Sequence, residues 1–211
     1  MVAPSVTWQP GPVVRVADHD AAGSPGEDQI VHLSTPLSDV LTDEFDGALT
    51  SLQITEDVLL LAALGRAVER TLGSGAITVD IVDGTFAGSA VALRCASAND
   101  TQATAMLLEV DRLLALSSGH GNVNAPEAEI ALSPAGTSRV GLDAYRSLHV
   151  SARRLGGVLH LDWSYDSRRF DSYTIVELAE QFPLALIELA SEAVGPLHSS
   201  DTPATGWAFA G

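Results

Sequence analysis

A chain of 211 residues is long enough for one or two domains with a full-sized core, and 46% hydrophobic content excludes a disordered polypeptide. The formal net charge is −16, with 27 acidic residues against 11 basic ones, all arginine. So much negative charge repels phosphate backbones and anionic lipid, which argues against nucleic-acid and membrane-surface partners. The single cysteine, Cys95, has no internal disulfide partner and fits a reducing compartment. The opening MVAPSVTWQPG lacks the basic start and apolar stretch of a secretory signal. The longest apolar run, Val58 to Leu64, is too short to cross a bilayer. Together these features predict a cytoplasmic protein.

Residues 1–27 are rich in Gly, Pro, Asp and Ala and predict a loose N-terminal arm, whose one apolar piece, Val13 to Val16, could add a strand. Asp28 to Leu33 reads as a short strand and Pro36 to about Phe45 as a short helix. Thr55 to Leu72 predicts a longer helix, with Thr55 as N-cap, Glu56 and Asp57 favouring the first turn, and Gly73 closing it. Val58 to Leu64 is apolar nearly all round, so this helix is expected to be central and buried. Ala76 to Val82 and Ala90 to Ala96 read as strands. Thr101 to Leu116 reads as an amphipathic helix with Met106, Val110, Leu113 and Leu114 inward.

Beyond a Gly/Ser/Asn loop from Ser117 to Pro126, strands are predicted at Glu129–Leu132, Ser147–Arg153 and Val158–Tyr165, the last two joined as a hairpin at Gly156-Gly157. In the final strand Leu159, Leu161 and Trp163 alternate with His160, Asp162 and Ser164, the period of a strand with one buried face. The period then changes. Ile175, Leu178, Ala179, Phe182, Leu186, Leu189 and Ala190 form one helical stripe, and Thr174 with Glu177 predicts a capping box at the start of a helix reaching about Val194. Pro183 predicts a kink or local break inside it. The tail from Pro196 reads as extended. Four helices and about six strands in mixed order give an α+β fold, an α/β two-layer sandwich.

The segment Gly156 to Leu189, with Gly-x-Leu-x-x-x-Trp-x-Tyr and then Thr-Ile-x-x-Leu-Ala-Glu-x-Phe, resembles the closing part of the condensation and epimerization domains of nonribosomal peptide synthetases. Five further blocks fall in the family's order: Ile30–Leu64 with its Asp57-Val58-Leu59-Leu60 run, Ile77–Asp83, Leu107–Gly121, Pro126–Gly136 and Ser199–Pro203. They cover about residues 28 to 203. The resemblance is to the C-terminal lobe alone, and it implies a single chloramphenicol-acetyltransferase-like lobe with a mixed sheet and packed helices. It divides the chain into the arm at 1–27, a lobe at 28–196 and an extended tail at 197–211.

The departures bear on chemistry. The family's His-His-x-x-x-Asp-Gly signature belongs to the first lobe and has no counterpart here; His19-Asp20 is a lone pair. The family's Glu-Gly-His-Gly-Arg block reads Val82-Asp83-Gly84-Thr85-Phe86-Ala87, without the His and Arg. Asp83 is a candidate remnant base, to be weighed against a plain turn at a strand end. His120, between two glycines, is the other catalytic candidate, to be weighed against an ordinary polar loop residue.

Six scattered histidines with no i,i+4 pair and no Cys/His cluster predict no metal site, and the absence of phosphate-cradling and dinucleotide fingerprints predicts no cofactor. His149 and His160 read as outward on adjacent strands, a solvated cross-strand pair. Cys95 in an apolar strand reads as an inert thiol. The doublets Arg153-Arg154 and Arg168-Arg169 read as surface ion pairs or as a contact for an acidic carrier protein. Trp163, Tyr165 and Phe170 are expected in the core, and Trp207 and Phe209 at a hydrophobic contact.

Three functions remain open at this point. In the first, a non-catalytic lobe acts through a protein partner or homodimer, beside peptide-synthetase or acyltransferase machinery. In the second, the chain is half of a split acyltransferase or condensation enzyme completed by another chain. In the third, it is an unrelated small-molecule-binding α/β module.

Overall fold

The apolar run Val58 to Leu64 sits at the centre of the molecule, each of its residues 0% exposed, within helix α2 (Glu56–Leu72). The computed structural model describes residues 13–117, 128–137 and 141–197. Its six strands are β1 (Ile30–Pro36), β2 (Gly75–Ile81), β3 (Ser89–Cys95), β4 (Ile130–Ser133), β5 (Leu148–Leu155) and β6 (Val158–Asp166). They form one mixed sheet in the order β1-β6-β5-β4-β2-β3. β4 runs parallel to both of its neighbours, and the other pairs are antiparallel. With helices α1 (Asp39–Leu52), α3 (Ala103–Ser117) and α4 (Ser172–Glu192), the architecture is the expected α+β sandwich.

Strand alternation decides which side the helices cover. Ile77, Val79 and Ile81, Leu148 and Val150, and Leu159, Leu161 and Trp163 are all buried in the shared apolar core with α2 and α4. Trp163 meets Phe182 of α4 edge-on at 5.8 Å between ring centroids, and Tyr165 meets Phe170 at 6.4 Å. Cys95 is buried here too, and burial pushes its thiol up to about 12, which leaves it unreactive.

Helix ends depart from local expectation where tertiary partners intervene. α4 starts at Ser172 with Asp171 as N-cap, so Thr174 is already inside the first turn and buried, and the predicted Thr174–Glu177 capping box does not form. The reason is an acceptor from far away: the Asp18 carboxylate takes the Asp171 N–H at 2.9 Å. α4 passes through Pro183 without a break. α1 starts later and runs longer than its pattern suggests, because Pro36 belongs to edge strand β1, where its missing N–H costs little, and Ser38 caps the helix by accepting from Leu41 N–H at 3.1 Å.

The arm is not loose from residue 13 onward. Val14 and Val16 are buried, and Val14 N–H donates to Ala76 O at 2.9 Å. Arg169 O accepts from the N–H groups of Asp18 and His19, while its guanidinium donates to Ala21 O and Ala144 O. Arg168 donates to Ala22 O and Gly23 O and pairs with Asp166 at 2.7 Å. This doublet is therefore a clamp on the molecule's own backbone and is not a free basic patch. Arg153 pairs with Asp162, and Arg154 with Asp46 and Glu56, as surface ion pairs. Among the described residues no single helix is long and apolar enough to cross a membrane.

Candidate functional site

The face of the sheet away from the helices carries the chain's polar chemistry. Register aligns Ala90, Asp80, Ala131, His149, Ser164 and His32 in one row across all six strands, and Ser133, Ser151, Asp162 and Ser34 in the next. Large apolar side chains are missing from both rows. Thr78, Asp80, Ser151, Asp162 and Ser164 are half-buried, and His32, Ser34 and Arg153 are exposed. His32 Nδ1 shares a hydrogen bond with Ser164 Oγ at 2.8 Å. Burial raises the Asp162 carboxyl, but hydrogen bonds from Arg153 and Ser34 outweigh this and hold it below the usual carboxylate range.

The centre of this face is closed over. Ser133 is fully buried and His149 is 6% exposed, and Ser133 Oγ lies 2.7 Å from His149 Nε2. The expected solvated pair of His149 with His160 does not exist: His149 lies opposite Ser164, and His160 lies opposite Arg153. Burial pushes the His149 imidazole below its ordinary 6.5, the charge of Asp83 opposes that shift, and Arg146 adds to it. Arg146, from the segment before β5, reaches Asp80 at 2.6 Å across the same face.

Asp83 stands two residues past β2 and is 6% exposed. Its carboxylate accepts from Ala135 N–H at 2.9 Å, and from Thr137 N–H and Oγ1–H at 2.8 and 2.9 Å. That set of donors makes Asp83 the pin of the β4–β5 connection. Next to it, Gly84 takes a φ of +87°, and a Cβ there would come within 2.5 Å of Asp57 Oδ1. Asp57, 1% exposed at the start of α2, accepts from Thr85 N–H at 3.2 Å. Two buried carboxylates thus fix the Asp83-Gly84 turn. His120, the other sequence candidate, falls outside the described residues.

A neutral imidazole beside a hydroxyl can exchange a proton with it, yet both groups here are covered, so the pair acts as a buried polar joint between β4 and β5. Among the described residues no three His, Cys, Asp or Glu side chains converge as metal ligands. An open cleft of about 650 Å³ lies between the arm and Glu129, lined by Arg15, His19, Asp20 and Arg169. The Arg169 guanidinium already donates to three backbone carbonyls there. Burial raises the Glu129 carboxyl against the charges of Arg169 and Arg15.

His149 gives a pH test. Its proton binds more readily in the unfolded chain, so stability is expected to be full at about pH 7.5 and to fall as pH drops below about 6.5. In His149→Gln the urea midpoint should fall less between those conditions than in the wild type. Equal falls in the two proteins would show that His149 is not held neutral.

No family model matches the chain. A phenolphthiocerol/phthiocerol polyketide synthase protein of Mycobacterium tuberculosis is 29% identical over 232 aligned positions, covering 84% of this chain and 16% of that protein. The epimerization domain from the third module of tyrocidine synthetase B superposes with a TM-score of 0.61 at 16% identity, over 88% of this chain and 53% of that one. A structure describing condensation-domain-mediated chain release from the enacyloxin polyketide synthase gives 0.53 at 14% identity, over 87% of this chain and 42% of that one. The chain thus spans about half of an epimerization domain and 16% of the mycobacterial polyketide synthase protein. Its fold is that of about half of a condensation or epimerization domain of the kind found in nonribosomal peptide synthetases.

Proposed function

We propose that this chain is a C-terminal-lobe relative of condensation and epimerization domains that performs no acyl chemistry alone and works through association with another protein of a peptide or polyketide synthase assembly. The observation that carries the reading is the half-domain match combined with a polar sheet face that is open along its β5, β6 and β1 side. The epimerization domain is matched over only 53% of its length, and beyond the covered Ala131, Ser133 and His149 the chain's own sheet leaves Ser151, Asp162, Ser164, His32 and Ser34 half-buried or exposed, where a second layer could sit. Small and polar side chains suit a wet interface that forms after folding, because they leave no apolar surface to hide beforehand.

The residues that would carry chemistry support a non-catalytic role. Asp83 is tied to three donors of the β4–β5 connection, which leaves it badly placed to accept a substrate proton. The family's histidine signature is absent from the sequence. Similarity to a mycobacterial polyketide synthase protein and to the enacyloxin condensation domain favours a setting in which acyl chains ride on carrier proteins, and a carrier is a candidate partner.

The test is association with a separately expressed first lobe carrying His-His-x-x-x-Asp-Gly, followed by sedimentation velocity. A one-to-one complex that Ser151→Arg abolishes supports the reading. A homodimer blocked by the same substitution would make the second copy the partner. A monomer indifferent to both would overturn association through this face.

A further inference from the structure

The helix layer has an outer surface of its own, on the opposite side of the molecule from the polar sheet face. Ile175, Leu178, Phe182 and Leu189 turn α4 towards the core, yet its solvent side is not the polar surface such a helix ordinarily shows. Tyr173 is 73% exposed, Val176 40%, Leu184 52% and Ile187 42%. With Glu180 between them, these residues follow one another at three- and four-residue steps, so they stand in a single line about 21 Å long. Val194, just past the helix, is also 76% exposed. Four large apolar side chains thus stand exposed on one helical line as two pairs, Tyr173 with Val176 and Leu184 with Ile187, on either side of Glu180.

The charges around the line say what it meets. α4 contains Glu177, Glu180, Glu188 and Glu192 and no basic residue. Glu188 is neutralised by Arg66 and Arg70. Glu177 and Glu180 have no ion-pair partner among the described residues. A second copy is a poor occupant: two-fold pairing of the helix brings Glu180 onto Glu180 between chains that each carry a net charge of −16.

We propose that the outer face of α4 docks an amphipathic helix of a partner protein, whose apolar side chains seat against the Tyr173–Val176 and Leu184–Ile187 pairs and whose arginine or lysine residues pair with Glu177 and Glu180. This surface is separate from the sheet face and stands or falls independently of it. A chain engaged on both faces is an internal piece of a larger assembly.

The experiment uses the full chain and two synthetic peptides with the same leucine ridge at three- and four-residue spacing, one flanked by arginines and one by glutamates. Fluorescence anisotropy should show the arginine peptide binding at least about tenfold more tightly than the glutamate peptide. Leu184→Glu with Ile187→Glu should abolish binding, and Glu180→Arg should bring the two peptides closer to equal affinity. All these positions are exposed, and unchanged circular dichroism and urea midpoints would confirm intact folds. Ser151→Arg on the sheet face should leave peptide binding unchanged. Equal binding of both peptides, or binding indifferent to Leu184→Glu with Ile187→Glu, would overturn the proposal. So would concentration-dependent dimers lost in Ile187→Glu, which make a second copy the occupant. Competition by a peptide of residues 198–211, lost in the same variants, would make the chain's own tail the occupant and likewise overturn it.

Discussion

Arg66→Met should lower the unfolding free energy by about 3–5 kcal/mol, although the new side chain is apolar and similar in length. Arg66 is on α2 and is completely buried. Its guanidinium donates to Ala96 O and Thr101 O, tying the end of β3 and the approach to α3 onto α2. Its Nε lies 3.2 Å from Glu188 Oε1, an ion pair without the alignment of a hydrogen bond. Burial lowers the pKa of the guanidinium, and the charge of Glu188 partly offsets this. Removing the cation strands two carbonyls and leaves Glu188, whose side chain is 13% exposed, with Arg70 alone. Urea denaturation measures the loss. Adding Glu188→Leu to Arg66→Met should restore part of it, the part that comes from a largely buried carboxylate left with only one of its two cations. A single variant as stable as the wild type would show that the pair holds nothing together.

Leu61→Ala should cost about 2–5 kcal/mol, from lost transfer free energy plus the cavity left in a packed interior. Leu61 is 0% exposed in the middle of α2, with buried neighbours on every side of the helix. No charge is stranded, so the second-site rescue expected for Arg66 has no analogue here. The two variants therefore separate packing from charge pairing in one helix. A chemical-denaturation midpoint unchanged within error would remove α2 from the core.

Leu61 was legible in the sequence and Arg66 was not, and the contrast is physical. Seven consecutive apolar residues in a helical window leave no side for water, so burial follows from local pattern alone. Arg66 is a charged residue just past the same run, and its partners, Ala96 and Thr101 in the β3–α3 connection and Glu188 on α4, are brought to it only by the tertiary fold. The change of period between β6 and α4 placed both elements, but α4's first residue was set by Asp18, 153 positions away from Asp171. The strands themselves were readable from alternation. Their order was not, since β2, β4 and β5 pair in parallel across long connections. At the candidate site, parity put His149 on the face away from the helices, while its burial and its bond to Ser133 lie outside any local pattern. Asp83 as a strand-end turn was readable, but its donors Ala135 and Thr137 lie 52 and 54 residues away.

The most direct measurement is a carrier-protein assay on the chain alone and with a first lobe. Aminoacyl or peptidyl thioester on a carrier is incubated with the protein, and the released product is analysed for condensation and for chirality. On the proposed reading the expected result is no turnover by the chain alone, because the sequence holds no His-His-x-x-x-Asp-Gly and Asp83 is already engaged by three donors, and general acid–base catalysis needs a base within hydrogen-bond reach of the reacting proton. Turnover that appears only on adding the first lobe would keep the requirement for association and make the chain half of a split enzyme. Turnover by the chain alone, abolished by Asp83→Asn or His120→Ala, would contradict the non-catalytic reading and make those residues catalytic.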